Sequence, residues 1–156
     1  MSRRLALSCV AALLVAAATW LFWDGSARRA DERAGNEAAQ AARDSIVAIL
    51  SYRADTAEKD LETAAQDRLT GKFRDDYTQL IKTVVVPEAK RKSAGAVTRV
   101  PAVAVVSAGS DDAVLLAYID QTMTAGKDAP TQTNSSVRVR MERIDGRWLI
   151  SGFEPI

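Results

Sequence analysis

The 156-residue chain contains no histidine, and its only cysteine is Cys9. Histidine is the commonest general base at neutral pH and the commonest metal ligand. Its absence excludes serine–histidine and cysteine–histidine catalysis, and a zinc site is not expected without it. One cysteine cannot form a disulfide within the chain, so packing alone must stabilise the fold. We therefore expect no catalytic residue, no cofactor and no bound metal.

The chain also lacks an excess of either charge. It carries 21 Lys and Arg against 20 Asp and Glu, a formal net charge of +1. Domains that bind nucleic acid present a strongly basic surface to the phosphates. The balance of charges therefore argues against nucleic acid as a partner.

Charged side chains are absent from one long apolar stretch, Leu5 to Trp23. A helix of this length would run about 28 Å at about 1.5 Å per residue, close to the hydrocarbon thickness of a bilayer. Trp20, Phe22 and Trp23 close the stretch as residues of a membrane interface do. We predict a transmembrane anchor over residues 5–23, with residues 1–4 as a cytoplasmic tail and the rest of the chain on the outer side of the cell membrane.

A cleaved signal peptide is the alternative interpretation of this stretch. Gly25-Ser26-Ala27 is compatible with a cleavage site. The apolar run is nevertheless longer than the usual core of about 7–15 residues, and it ends in bulky tryptophans. A lipoprotein signal at Cys9 is a poor match because too little apolar sequence precedes it. The sequence favours a retained anchor.

Residues 24–50 have no proline and are rich in good helix formers, which predicts a stalk helix. Apolar residues recur every four positions and form one stripe along this helix. The stripe would pack either on the chain's own domain or against a helix of a partner, and we take its alanines as the hypothesis for partner contact. Its members are Ala30, Ala34, Ala38, Ala42, Ile46 and Leu50.

Two more helices are predicted after the stalk. Asp55 with Glu58 resembles a capping box at the start of the first helix, which ends near residue 69. Thr70 and Gly71 break the pattern, with Thr70 able to cap the second helix, which begins at residue 72. Pro87 ends that helix, or kinks it before it resumes.

From residue 94 the apolar period changes to two, which predicts strands. Asp145-Gly146 is typical of a two-residue hairpin, and Pro101 indicates an edge strand or a bulge. Helices followed by strands predict an α+β fold, with helices packed on a four-stranded antiparallel curved sheet. The predicted strands are Ala96 to Ser107, Ala113 to Met123, Asn134 to Ile144 and Arg147 to Phe153, with a polar loop from Thr124 to Thr133.

Several short motifs follow one another behind the apolar span: Leu50-Ser51-Tyr52, Asp60-Leu61, Leu69-Thr70-Gly71-Lys72-Phe73 with Tyr77, and Asp145-Gly146-Arg147-Trp148-Leu149. In order and spacing the chain resembles the Mce-associated membrane proteins of actinobacteria. The resemblance implies a nuclear-transport-factor-2-like cone over residues 51–156. It also implies a non-catalytic accessory subunit of an Mce lipid-import complex, with Mce subunits as protein partners and membrane lipid around the anchor. The fold-motif residues are Thr70, Gly71, Phe73, Asp145, Gly146 and Trp148.

Two other functions are compatible with a cone. The first is binding of a lipid or sterol, with Tyr52, Tyr77 and Tyr118 as pocket residues. The second is a scaffold role like that of the assembly factors of type IV secretion systems, which have a similar span and cone. Ketosteroid isomerases also resemble this layout, but the tyrosines and aspartates here lack a catalytic spacing, so we expect no enzyme. The apolar lining of a lipid pocket would be Val103, Val105, Leu116, Val139 and Trp148.

Overall fold

A computed structural model describes residues 29–156, in which helices pack on a four-stranded antiparallel sheet. The strands lie in the order β1-β2-β3-β4, so each strand pairs with its neighbour in the sequence. The predicted α+β class is confirmed. The elements are α1 (residues 29–50), α2 (Ala57–Arg68), α3 (Gly71–Leu80), a π-helical segment (Ile81–Val85), α4 (Val86–Lys92), β1 (Ala94–Ala108), β2 (Asp112–Ala125), β3 (Thr131–Ile144) and β4 (Arg147–Pro155).

The predicted tail and anchor, residues 1–23, lie outside the described residues, as does the start of the predicted stalk. Among residues 29–156, none of the helices combines the length and the apolar character that crossing a membrane requires.

Helix α1 packs on the sheet through the predicted alanine stripe. Ala34, Ala38, Ala42 and Ile46 are buried and belong to one hydrophobic core with residues of the strands and of helices α2 and α3. The partner-contact hypothesis for Ala34, Ala38 and Ala42 is therefore wrong, because the protein's own core already covers these side chains. Ala30 is exposed, and for this residue the contact stays a prediction.

Gly35 shows how closely α1 approaches the edge of the sheet. A Cβ atom on this residue would lie 3.2 Å from Ala108 Cβ and 3.3 Å from Val105 Cγ1. Such distances are too short for ordinary packing, so the glycine lets the helix contact the end of β1. Small residues on both surfaces allow this approach.

The predicted capping box at α2 is wrong. The helix begins at Ala57, and Thr56 precedes it as the N-cap residue without a side-chain cap hydrogen bond. Asp55 instead forms an ion pair with Arg53 at 3.0 Å, and Glu58 forms one with Lys90 at 2.7 Å. The carboxylates are thus engaged by basic side chains rather than by backbone N–H groups.

The joint between α2 and α3 is attached to the last strand. The Thr70 N–H donates to the Ile150 carbonyl at 3.0 Å, while the Thr70 side chain makes no cap hydrogen bond. Gly71 has φ +58, and nothing lies within 4 Å of a Cβ atom placed there. The glycine is therefore needed for its positive φ rather than for close approach. The Phe73 ring then stacks on Phe153, with the centroids 6.2 Å apart.

The second predicted helix continues past Pro87. Helix α3 passes through the π-helical segment into α4, with Pro87 in the first turn of α4. Proline has no N–H to donate, and its ring collides with the carbonyl four residues earlier. The wider turn of the π-helical segment, directly before the proline, relieves this conflict.

The strands are longer than predicted, because pairing extends into the polar segment between β2 and β3. Met123 pairs with Thr131, and half of the predicted loop, residues 124–125 and 131–133, is strand. Pro101 lies in edge strand β1 at a register shift between Arg99 and Ala102, which confirms both predicted features. Asp145 and Gly146 have φ of 51° and 76°, as a type I′ hairpin requires.

Tyr77 connects helix α3 to the end of α1. Its hydroxyl donates to the Ile49 carbonyl at 2.6 Å in the protein interior. Burial raises the pKa of the Tyr77 hydroxyl, and the nearby Tyr52 raises it further. The phenol therefore stays neutral and serves as a structural donor.

Replacing Tyr77 by phenylalanine should lower the free energy of unfolding by about 1–3 kcal/mol, because the buried Ile49 carbonyl loses its donor. Chemical denaturation would measure the loss. Tyr118→Phe is the matched control: its side chain is exposed, so a change within about 0.5 kcal/mol is expected. Equal effects of the two substitutions would contradict the role of the hydrogen bond.

The stability difference between the wild type and Tyr77→Phe should narrow as the pH rises above about 10. The folded state raises the pKa of Tyr77, so its stabilising contribution is complete below the unfolded pKa and is lost at higher pH. Denaturation of both proteins between pH 8 and pH 11 would show the trend. A constant difference would mean that Tyr77 does not ionise on unfolding.

Ala38→Leu should destabilise the domain by about 1–3 kcal/mol, because Ala38 is fully buried and the added atoms overpack the contact between α1 and the sheet. Thermal unfolding would measure the effect. Ala30→Leu, on the exposed start of the same stripe, should leave the melting temperature nearly unchanged. An unchanged melting temperature for Ala38→Leu would contradict the burial of the stripe in the protein's own core and would favour contact with a partner's helix.

Candidate interaction surface

The residues of β2 alternate between two faces of the sheet. Leu115, Ala117 and Ile119 are buried in the core, whereas Leu116 is 37% exposed and Tyr118 is 44% exposed. Successive side chains of a strand point to opposite faces. Leu116 and Tyr118 therefore lie on the outer face, the face turned away from the core.

Two alanines of β1 accompany these residues on the outer face. Ala104 lies directly opposite Leu116, Ala102 lies directly opposite Tyr118, and both alanines are exposed. Their small side chains leave the leucine and the tyrosine uncovered. We call Ala102, Ala104, Leu116 and Tyr118 the outer patch.

The bulge at Pro101 places the alanines there. Arg99 pairs with Asp120 and Ala102 pairs with Tyr118, so Val100 and Pro101 together oppose one residue of β2. An extra residue reverses which side chains of a strand face outward. Val103 consequently packs against the core, and the alanines face outward.

Polar side chains surround the outer patch on the same face. Asn134 donates to Asp120 at 2.5 Å, and Arg140 forms an ion pair with Glu154 at 2.6 Å. Between Asp120, Asn134 and Arg99 lies a polar groove of about 420 Å³. An apolar centre with a polar rim is the usual composition of a protein interaction surface.

Two arginines of this rim have no counter-ion in the part of the chain that the structure describes. Arg99 lies opposite Asp120, but the Asp120 carboxylate is bound by Asn134. Arg138 lies opposite Glu154, but the Glu154 carboxylate is bound by Arg140. Both guanidinium groups are exposed and remain free for another molecule.

The structure does not bring the three predicted pocket tyrosines together. Tyr77 is hydrogen-bonded in the core, and Tyr52 packs partly buried against the same core. Tyr118 lies on the opposite face of the sheet, as does Leu116. Leu116 and Tyr118 therefore cannot share a lipid pocket with the core residues Val139 and Trp148, and the pocket built from these residues is wrong. The centre of the core is filled by fully buried side chains, including Leu61, Leu115, Val139, Met141 and Ile150.

Trp148, a fold-motif residue, is buried in the core beside the last hairpin. The Arg143 guanidinium lies 5.8 Å from the centroid of its ring and also contacts Glu37 of α1 at 3.5 Å. This arrangement holds the hairpin against the first helix. Within residues 29–156, no cluster of Asp, Glu or Cys side chains could hold a metal ion.

The sequence contains one indication of the outer patch, which is easily overlooked when β2 is interpreted as an alternating strand. Val114 to Ile119 is a continuous apolar run, and such a run indicates a strand whose two faces are both apolar. The core needs one of these faces. The second apolar face is the candidate interaction surface, which strand prediction alone did not identify.

Comparison with known proteins places these features in a family. Residues 1–154 match the family described as "Uncharacterized protein Rv1363c/MT1408-like". The "Outer membrane protein Rv1973" of Mycobacterium tuberculosis is 51% identical over 152 residues, which are 97% of this chain and 90% of that protein.

Two solved structures share the fold at low sequence identity. A periplasmic fragment of TraM has a TM-score of 0.65 and 10% identity, covering 77% of this chain and 95% of that chain. An IcmL-like type IV secretion system protein from Legionella pneumophila has a TM-score of 0.64 and 11% identity, covering 76% and 90%. Such identities show the common fold alone. On the match over residues 1–154 and the identity with Rv1973, the chain belongs to the Rv1363c/MT1408-like family.

Proposed function

We propose that the protein is a non-catalytic accessory subunit that stabilises an Mce-type lipid-import complex of the cell envelope. The observation that carries the proposal is the outer patch, an exposed apolar surface with free arginines on a domain whose centre is filled. An apolar centre with a polar rim is the usual composition of a protein interaction site. A surface of this kind suits a subunit that acts by contact with other proteins.

The comparisons support a place in the cell envelope. The 51% identical relative is named an outer membrane protein, and the TraM structure that shares the fold is a periplasmic fragment. The uncharged stretch from Leu5 to Trp23 supports attachment of the domain to a membrane. The resemblance of the sequence motifs to Mce-associated proteins supports lipid import as the process that the protein serves.

A scaffold of a secretion-type complex is the second candidate. The fold it shares with an IcmL-like type IV secretion system protein favours this role. The two candidates have the same physical basis, namely contact between an envelope domain and other subunits. They differ in the identity of those subunits, so identification of the partners separates them.

Binding of a lipid or sterol inside the domain receives less support. A ligand there needs an apolar cavity, since such sites bury most of the ligand. Leu115, Val139 and Ile150 are fully buried at the centre of the core. A lipid would have to displace this packing.

Tagged full-length protein, extracted from its own cells in a mild detergent, should co-purify with Mce subunits and their permease. We expect at least tenfold enrichment, measured by mass spectrometry, over an unrelated single-span protein with the same tag. Recovery of secretion-system subunits instead would favour the scaffold role. A monomer that retains bound lipid and no partner would overturn the accessory role in favour of lipid binding.

A further inference from the structure

We infer that the outer patch, together with Arg99 and Arg138, docks an apolar protein segment that carries carboxylates. The inference rests on the proposed accessory role, because it assigns the surface and the chemistry through which that role would operate. Neither the fold nor the family description identifies this surface.

The apolar part of the surface supplies binding energy without a change in the fold. Leu116 and Tyr118 are only about half covered, so a partner can remove the rest of their area from water. Tyrosine is among the residues that dominate binding at protein interfaces. The side chains of Ala102 and Ala104 project little from the sheet, so a segment of a partner can lie across β1 and β2.

The charges on either side of this strip specify the partner. Arg99 lies beyond Tyr118 toward one end of the sheet, and Arg138 lies beside Leu116 on β3. Four residues along a strand and two strands across separate them by roughly 16 Å. Glu154 is paired with Arg140, Asp120 accepts a hydrogen bond from Asn134, and neither arginine forms an ion pair within residues 29–156. Carboxylates on a partner would therefore complement both guanidinium groups. Arginine pairs with carboxylates through two parallel hydrogen bonds, which favours acidic side chains.

A second copy of the chain fits this surface poorly. A two-fold contact would place the same patch on both sides and bring four arginines into one interface. Asp120 and Glu154, the carboxylates next to these arginines, already accept hydrogen bonds from Asn134 and Arg140. A two-fold contact centred on the patch would therefore bring like charges close together at a cost in free energy. A heterologous acidic partner has no such conflict.

The apolar contact can be tested with two leucines of similar exposure. Leu116→Ser should lower recovery of Mce subunits at least tenfold in the full-length pull-down. Leu80→Ser, at a 50% exposed leucine of helix α3, should leave recovery unchanged. Neither substitution removes a fully buried side chain, so unchanged melting temperatures should confirm that both proteins fold. Equal recovery with the two variants would overturn the assignment of the patch.

The need for positive charge on the surface can be tested by reversing the charges of Arg99 and Arg138 and, separately, by replacing both residues with lysine. Arg99→Glu with Arg138→Glu should reduce recovery of Mce subunits at least tenfold, whereas Arg99→Lys with Arg138→Lys should retain most of it. Lys127→Glu, at an exposed residue of the turn after β2, controls for a general change in net charge. Full recovery with the double glutamate variant would overturn the need for carboxylates on the partner.

Photo-crosslinking separates failure of this inference from failure of the proposed function. A photoreactive amino acid at position 118 of the full-length protein should crosslink to an apolar protein segment with acidic residues, and one at position 80 should not. A product with a second copy, with lipid or with a basic segment, or no product at all, overturns the inference. In a further outcome, the wild-type protein recovers no Mce subunit while the probe at position 118 still crosslinks to an acidic, apolar segment. That result would contradict the proposed association with an Mce complex and would support the outer patch as a docking surface.

Discussion

The close contact between helix α1 and the sheet is the constraint on which the rest of the structure depends. Ala34, Ala38 and Ala42 allow the helix backbone to lie near the strands, and Gly35 lets it reach the end of β1. Larger residues on this side would hold the helix away and open voids in the core. Because α1 ends against Tyr77, its position also determines where helix α3 packs. One stripe of small residues thus sets the thickness of the domain.

The bulge at Pro101 has a comparable influence on the opposite face. It reverses the alternation of β1, so that Val103 reaches the core and Ala102 and Ala104 face outward. Without the bulge, Val103 would be exposed to solvent, and Ala102 and Ala104 would face the core, where their small side chains would leave voids. A proline on an edge strand loses no ladder hydrogen bond that the sheet needs. The same device therefore completes the core and leaves a low apolar strip beside Leu116 and Tyr118.

The sequence predicted the fold class, the helix order, the edge position of Pro101 and the last hairpin because each has a local cause. Periodicity, helix propensity and the Asp145-Gly146 dipeptide act over a few residues and do not depend on distant partners. The capping box failed because Asp55 and Glu58 found basic partners, one of them 32 residues away. The burial of the alanine stripe and the side of the sheet on which Tyr118 lies depend on the register of whole strands. Such long-range pairing is not visible in a single stretch of sequence.

The distribution of apolar residues between the two faces supports the proposed role in contact with other proteins. The core is filled by residues of all four strands and needs nothing from Leu116 or Tyr118. Polar residues at these two positions would preserve the packing and improve solubility. Asp120 and Glu154 are held by Asn134 and Arg140, which leaves Arg99 and Arg138 available. The packing of the core therefore does not require an exposed tyrosine and leucine between two free guanidinium groups, and the acidic, apolar partner that we propose would account for both features together.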